Sequence, residues 1–291
     1  MTTFDSWPLA ARCLESLISW SSRSGGLERI VLVDDHSPDP PPQLPADPRL
    51  EVRINPERQG FAASLNRGIE AVGTEVVAVF DADAYPLADS SGAIRAAFAD
   101  DPRLGLLGFR TVDAKGVETP SWSEEPSALA LAAGQRLDGW LRRLRPARAP
   151  KALCLHTAAL VFRRQAFLEL GGADEELGFL DVDIDLSMRL RRAGWRVRWE
   201  PALVAFHEGG GSPIATGWRV REYYRSRWRL LRKHGRIRSP RLLRAVILLR
   251  LRLESLLLTL FGSLLFQDPV RRRDKAAGRR ELVRLVQREL R

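Results

Sequence analysis

Five apolar residues in a row, Val76-Val77-Ala78-Val79-Phe80, run straight into Asp81-Ala82-Asp83. An unbroken apolar run of this length is the pattern of a strand covered on both faces, as in a parallel sheet flanked by helices. Around a strand end, residues i and i+2 project to the same side, roughly 6–7 Å apart. Two carboxylates so placed repel unless a cation sits beside them. Oxygen ligands at a strand edge suit Mg²⁺ or Mn²⁺, with water and substrate phosphate completing the shell. The plain alternative is a solvated loop, since aspartate is common in turns.

The neighbouring segments repeat the pattern. Arg29 to Val33 reads as a strand that ends in Asp34-Asp35-His36-Ser37, and Leu50 to Ile54 reads as another. Helical spacing marks Leu9 to Trp20, Phe61 to Val72 and Ala93 to Phe98, with a further strand at Leu104 to Phe109. The alternation predicts a doubly wound, mostly parallel α/β sheet, whose carboxyl-terminal edge is where ligands bind. Residues 111–150 read as a polar, mobile excursion. A strand over 153–162, a helix over 165–170, a helix from Asp183 to Gly194 and strands at 195–199 and 202–207 follow. The last ends in His207 before three glycines, which permit close backbone approach to a bound group.

Charge divides the chain. Residues 219–291 hold 22 Lys and Arg against 6 Asp and Glu, while the rest carries a net −6. The tail is expected to seek a polyanion, and its leucine-rich stretch from Leu242 to Phe266, broken by arginines, fits a helix lying in a bilayer interface. Its longest charge-free run, Ser255 to Phe266, is too short to span. The alternative is helices packed on the protein's own body. Two cysteines without metal-ligand spacing fit a reducing cytoplasm, and no secretory signal is visible. The expected division is 1–217 as the catalytic domain and 218–291 as a basic helical region.

TTFD, VLVDDHSPD, NPERQGFAASLNRGI, VAVFDADAYP and LDVDIDLSMRLRRAGWRVRWEPALVAFHEGGGS, in this order, resemble the family 2 inverting glycosyltransferases of GT-A fold. The branch they resemble contains bacterial polysaccharide and rhamnosyl transferases, and the likeness covers about residues 2–235. The resemblance implies that Thr2 and Asp34 contact the nucleotide base, with Gly60 in a turn beside it. It implies that Asp81-Ala82 lies against the donor, Asp81 touching the ribose or a metal-bound water. Asp83 would hold the ion, with His207 a further metal ligand, and Asp183 would be the general base. The family's glutamate before the base is Val182 here, so Asp181 or Asp185 is expected to share the work. Family members also begin with a longer apolar strand before the TTFD-like turn. Either the start has been placed too late or the sheet lacks part of that strand, and the first is the expectation.

The expected function is metal-dependent, inverting transfer from a nucleoside-diphosphate sugar to a lipid-linked or cell-envelope glycan, at the cytoplasmic face of a membrane. A nucleotidyltransferase would need a glycine-rich loop with Lys or Arg near the N-terminus, which the sequence does not offer. A third reading is a catalytically impaired binding protein. Nucleic acid is not an expected partner, because no recognised module is visible and the body is acidic.

Overall fold

A computed structural model describes residues 1–24, 26–134, 153–177, 179–207, 216–265 and 268–290. The chain divides into two compact units, one of Met1–Glu125 with Pro150–Pro213 and one of Pro126–Ala149 with Ile214–Arg291.

In the first unit, three parallel strands stand side by side in the order β1 (Thr2–Thr3), β2 (Ile30–Asp34) and β3 (Leu50–Ile54). Thr2 pairs with Val33 on one side and forms a parallel bridge to Asp81 on the other. That bridge reaches the second sheet, ordered β4 (Val76–Phe80), β10 (Ala159–Arg163), β6 (Leu104–Val112), β11 (Arg196–His207) and β5 (Ala84–Pro86). Strand β10 runs antiparallel to both β4 and β6, whereas β11 runs parallel to β6. β7 (Glu118–Thr119) pairs with β6, and β8 (Trp122–Glu124) pairs with β9 (Leu153–Leu155) as a separate ribbon.

The apolar runs are buried as their lack of alternation requires. All five residues of β2 and of β10 are buried, as are Val77, Val79 and Phe80 of β4. Helices α1 (Trp7–Ser24), α2 (Phe61–Ala71) and α3 (Ser91–Asp100) fill the crossovers. Leu14, Leu17 and Trp20 of α1 join Phe80, Phe98 and Phe109 in one core cluster. Cys13 and Cys154 are free and buried, and burial pushes their thiols up to about 12 and about 11. Helices α5 (Arg164–Glu169) and α6 (Val182–Arg192) complete the unit.

Three expectations are corrected. The stretch expected as one strand over 153–162 is two, because the chain breaks at His156 and turns at Thr157 and Ala158 between β9 and β10. The two strands expected over 195–207 are one, with a register shift between Glu200 and Val204. The 111–150 excursion is not wholly polar surface. Ser127 caps α4 (Ala128–Ala133) by accepting from Ala130 N–H, and Leu131 of that helix is fully buried.

Strand β1 is only two residues long, and below it the sheet has a cleft of about 350 Å³. Met1, Ile30 and Val31 line one side, Val76 to Phe80 the other, and Leu65 and Ile69 lie among its walls. The Met1 amino group donates to Val31 O at 2.8 Å, where a continuing strand would place a peptide N–H. Burial lowers the pKa of that amine.

The second unit is helical, with α7 (Thr216–Lys233), α8 (Pro240–Leu265) and α9 (Pro269–Arg288). Trp228 and Leu231 of α7, Ile247 and Leu251 of α8, Leu285 and Val286 of α9, and Leu131 of α4 form its core.

Candidate active site

The aspartates that close β4 are held by the backbone around them. Asp81 N–H donates to Ala158 O at 3.2 Å, and Asp81 O accepts from Ala84 N–H at 3.0 Å. This tight reversal turns the chain into β5, which pairs antiparallel with the end of β11 and sets His207 opposite Ala84. Tyr85 stacks on Phe206 with ring centroids 4.8 Å apart, fixing that register. As a result His207 Nε2 lies 3.6 Å from Asp83 Oδ1. One ligand atom each from Asp81, Asp83 and His207 lie within 4.8 Å of one another. Ala82, between the two carboxylates, packs against the core cluster and so faces away from them.

Asp183 arrives from the first turn of α6. Its carboxylate accepts from Thr157 N–H at 3.2 Å and from Ile184 N–H at 2.8 Å. The side chain of Thr157 hydrogen-bonds Asp81, so one residue touches both carboxylates. Burial pushes Asp81 up to about 7, and the charges of Asp83 and Asp183 add to the shift. Burial likewise raises Asp183, opposed by His156 and reinforced by Asp181. His156 is fixed by Pro120 O, 3.2 Å from Nδ1, and by Ser123 Oγ, 3.1 Å from Nε2. A carbonyl can only accept, so Nδ1 carries a proton.

Asp185 is not available to assist the base. It is fully buried and paired with Arg189 at 2.6 Å, whose guanidinium also donates to the carbonyls of Leu170 and Gly172. Asp181 precedes the helix in a left-handed conformation, φ 65°, unusual for a residue with a side chain.

Thr2, Asp34 and Gly60 are the residues expected beside the nucleotide base. Thr2 is wedged between β2 and the Asp81 turn. Asp34 is buried, and its carboxylate accepts from the backbone and hydroxyl of Ser37. Gly60 has φ 94°, a conformation in which a side chain would be strained. Its N–H donates to Asp35 Oδ2 at 2.9 Å, and Gln59 N–H donates to Asp35 Oδ1 at 2.8 Å. Asn55 and Ser64 add two further hydrogen bonds to Asp35.

Asp35 and Thr157 are the site residues that the sequence reading missed. An Asp-Asp doublet closing a strand was the available signal for the first, because alternation turns neighbours to opposite faces. Nothing local marks Thr157. Trp122 packs on Trp199 with centroids 6.2 Å apart. The 142–148 segment and the glycines after His207 lie outside the described residues.

The donor set fits a divalent cation. Two carboxylates and an imidazole converge, and His207 Nδ1 is buried without a hydrogen-bond partner among the described residues.

Residues 1–171 match the family model described as Glycosyl transferase family 2. The chain belongs to this family. Among its relatives, the pre-mycofactocin glycosyltransferase of Mycobacterium tuberculosis is 32% identical over 183 residues, 62% of this chain and 37% of that protein. The chain therefore matches well under half the length of that relative. The N-acetylglucosaminyl-diphospho-decaprenol L-rhamnosyltransferase of the same organism is 28% identical over 229 residues, 70% of this chain and 73% of the other. Among solved structures, a mannosyltransferase from Pyrobaculum calidifontis in complex with GDP-Man and Mn²⁺ superposes with a TM-score of 0.58. It covers 99% of this chain and 85% of that one at 16% identity, a likeness of fold alone. The family 2 chain thus has the GT-A fold expected from its sequence.

Proposed function

We propose that this family 2 chain is an inverting glycosyltransferase that uses a nucleoside-diphosphate sugar and a divalent cation, Mg²⁺ or Mn²⁺. The observation that carries the reading is the meeting of Asp81, Asp83 and His207, with Asp183 joined to them through Thr157. In this reading Asp81, Asp83 and His207 hold the ion, and Thr2, Asp34 and the Gly60 turn receive the nucleotide base. A cation bound there would offset the negative charge that gathers on the departing diphosphate.

Asp183 acts as general base. As the acceptor hydroxyl attacks the anomeric carbon, its proton passes to the Asp183 carboxylate. The new carbon–oxygen bond forms while the bond to the diphosphate oxygen breaks on the opposite face, so the anomeric centre inverts. A carboxylate whose pKa is raised by burial takes that proton more readily than an ordinary one.

The acceptor is a lipid-linked or cell-envelope glycan, and transfer takes place at the cytoplasmic face of a membrane. A decaprenol-linked acceptor and rhamnose are named for one relative, which supports this class. The net +16 of residues 219–291 supports an anionic surface as partner.

The test is incubation of the full chain with a panel of nucleotide sugars and lipid-linked acceptors in Mn²⁺ or Mg²⁺, followed by the anomeric configuration of the product. Transfer with inversion is expected, with Asp183→Asn abolishing it while donor binding persists. Failure with every donor, together with unchanged nucleotide affinity in Asp83→Ala, would overturn the reading.

A further inference from the structure

Helix α8 is apolar on two sides. Leu243, Ile247 and Leu251 are buried in the core of the helical unit, and Leu258 on the same side is buried too. On the other side Leu242, Val246, Leu249, Leu253, Leu256 and Leu260 recur at steps of four and three, each 42–64% exposed. Steps of this kind bring side chains to one continuous stripe. About 1.5 Å of rise per residue makes the stripe roughly 27 Å long. A soluble surface rarely leaves so many leucines contiguous without a partner.

The charges beside the stripe tell which partner. Arg241 and Arg252 are exposed beside it, and Arg238 is exposed just before the helix begins. The helix's one acidic residue, Glu254, is engaged by Arg250 at 3.5 Å and Arg279 at 3.2 Å. The heptad steps would also suit a second copy of the helix. The positions flanking the seam are Ala245, Arg250, Arg252, Leu257 and Thr259, so a second copy would bring arginines and no acidic partner. No described helix is long and apolar enough to cross a membrane.

We propose that the exposed stripe of α8 lies in the plane of an anionic lipid bilayer. Its leucines enter the boundary between headgroups and acyl chains, and the flanking arginines meet lipid phosphates. Arginine can do both, because its stem packs on apolar surface while its guanidinium reaches the phosphate. The proposal rests on, and deepens, the membrane part of the reading above by naming the surface. The assay below contains no sugar donor, so the proposal and the transferase reading can fail separately.

The experiment is co-sedimentation of the full chain with phosphatidylcholine vesicles, with and without phosphatidylglycerol, over a range of salt. Binding is expected only when phosphatidylglycerol is present, and salt should weaken it. The double variant Leu249→Glu/Leu256→Glu should lower the partition coefficient by at least about tenfold, since each charge must be kept out of the acyl boundary. Both positions are exposed, so circular dichroism and the melting temperature should be unchanged. Arg241→Gln/Arg252→Gln should lose part of the preference for phosphatidylglycerol. The proposal is overturned if the wild-type chain does not sediment with these vesicles, or if the leucine variant binds equally well. It is also overturned if the leucine variant abolishes a dimer seen by analytical ultracentrifugation while vesicle binding stays intact.

Discussion

Acidification should weaken divalent-ion binding through Asp81, and the size of the effect follows from its surroundings. Burial and the charges of Asp83 and Asp183 lift this carboxyl from 3.8 to about 7. A cation must displace its proton wherever the ion-free protein still holds one. With a pKa of about 7, roughly nine-tenths of the carboxyl is ionised at about pH 8 and one-tenth at about pH 6. The apparent Mn²⁺ affinity should therefore fall about tenfold across that interval, close to 1.4 kcal/mol. At a saturating-side excess of Mn²⁺, the stabilisation it confers should be smaller at the lower pH by about 3–5 °C in melting temperature. The ion-free protein has the opposite trend. Its folded state keeps a proton that the unfolded chain releases near pH 4, so this carboxyl costs stability as pH rises from about 4 to about 7. Scanning fluorimetry and calorimetry with and without Mn²⁺ measure both. Comparison with Asp81→Asn isolates this carboxyl from other titrating groups. Equal affinity at the two pH values, or the same pH slope in Asp81→Asn, would refute the reasoning.

Asp35→Asn sets an amide N–H₂ against the N–H of either Gln59 or Gly60, since only one oxygen remains to accept; it should cost about 2–3 kcal/mol in urea unfolding and weaken nucleotide binding in calorimetry. Adding four residues of apolar, β-branched sequence before Met1 should fill the cleft between β2 and β4. With about 1.5–3 kcal/mol for each side chain fully buried, the melting temperature should rise by several degrees, and an unchanged value would show that the cleft does not accept a strand. Tyr85→Ala removes the ring that stacks on Phe206, and should reduce Mn²⁺ affinity in calorimetry although Tyr85 is not a ligand.

Strand β4 and its aspartates were legible because burial on both faces leaves a run without polar interruptions, and charge at its end has few structural uses. Strand β2 was legible for the same reason, within a residue at each end, whereas β3, where Glu51 and Arg53 alternate with Leu50, Val52 and Ile54 and no residue is buried, was legible from its alternation. What the sequence concealed was pairing. Nothing in Ala159–Arg163 announces that this strand runs antiparallel between two others, because a buried run reads alike in either direction. Asp185 could not be told from Asp183 by type or position, since both begin the same helix. The difference is Arg189 four residues later, a common helical spacing, whose pairing with the fully buried Asp185 only the fold reveals. Thr157 was hidden by a different cause: its backbone N–H could come from any residue in that turn, and its hydroxyl meets Asp81 only through the pairing of distant strands. The leucine stripe of α8 was visible as composition, but which leucines face the core had to come from packing.

The treatment of carboxylates elsewhere in the chain sets this edge apart from a solvated turn and supports the proposed site. Asp47 is gripped by Arg49, which holds it down to about 2. Asp101 meets Arg196 at 3.1 Å and Asp185 meets Arg189 at 2.6 Å. Such pairing is the ordinary way to keep a carboxylate charged in a fold with 46 Lys and Arg. At the closing turn of β4 the neighbours of Asp81 are instead Asp83 and Asp183, and both press its pKa upward. The compensation there is modest, from the amino terminus and the Thr157 hydroxyl for Asp81 and from His156 for Asp183. Strand β5, three residues long, then brings His207 across from the end of β11 to stand beside Asp83. The fold holds these groups together against their own repulsion, at a position where a divalent cation would relieve it. That local excess of negative charge, within a strongly basic chain, is the physical ground for assigning the site.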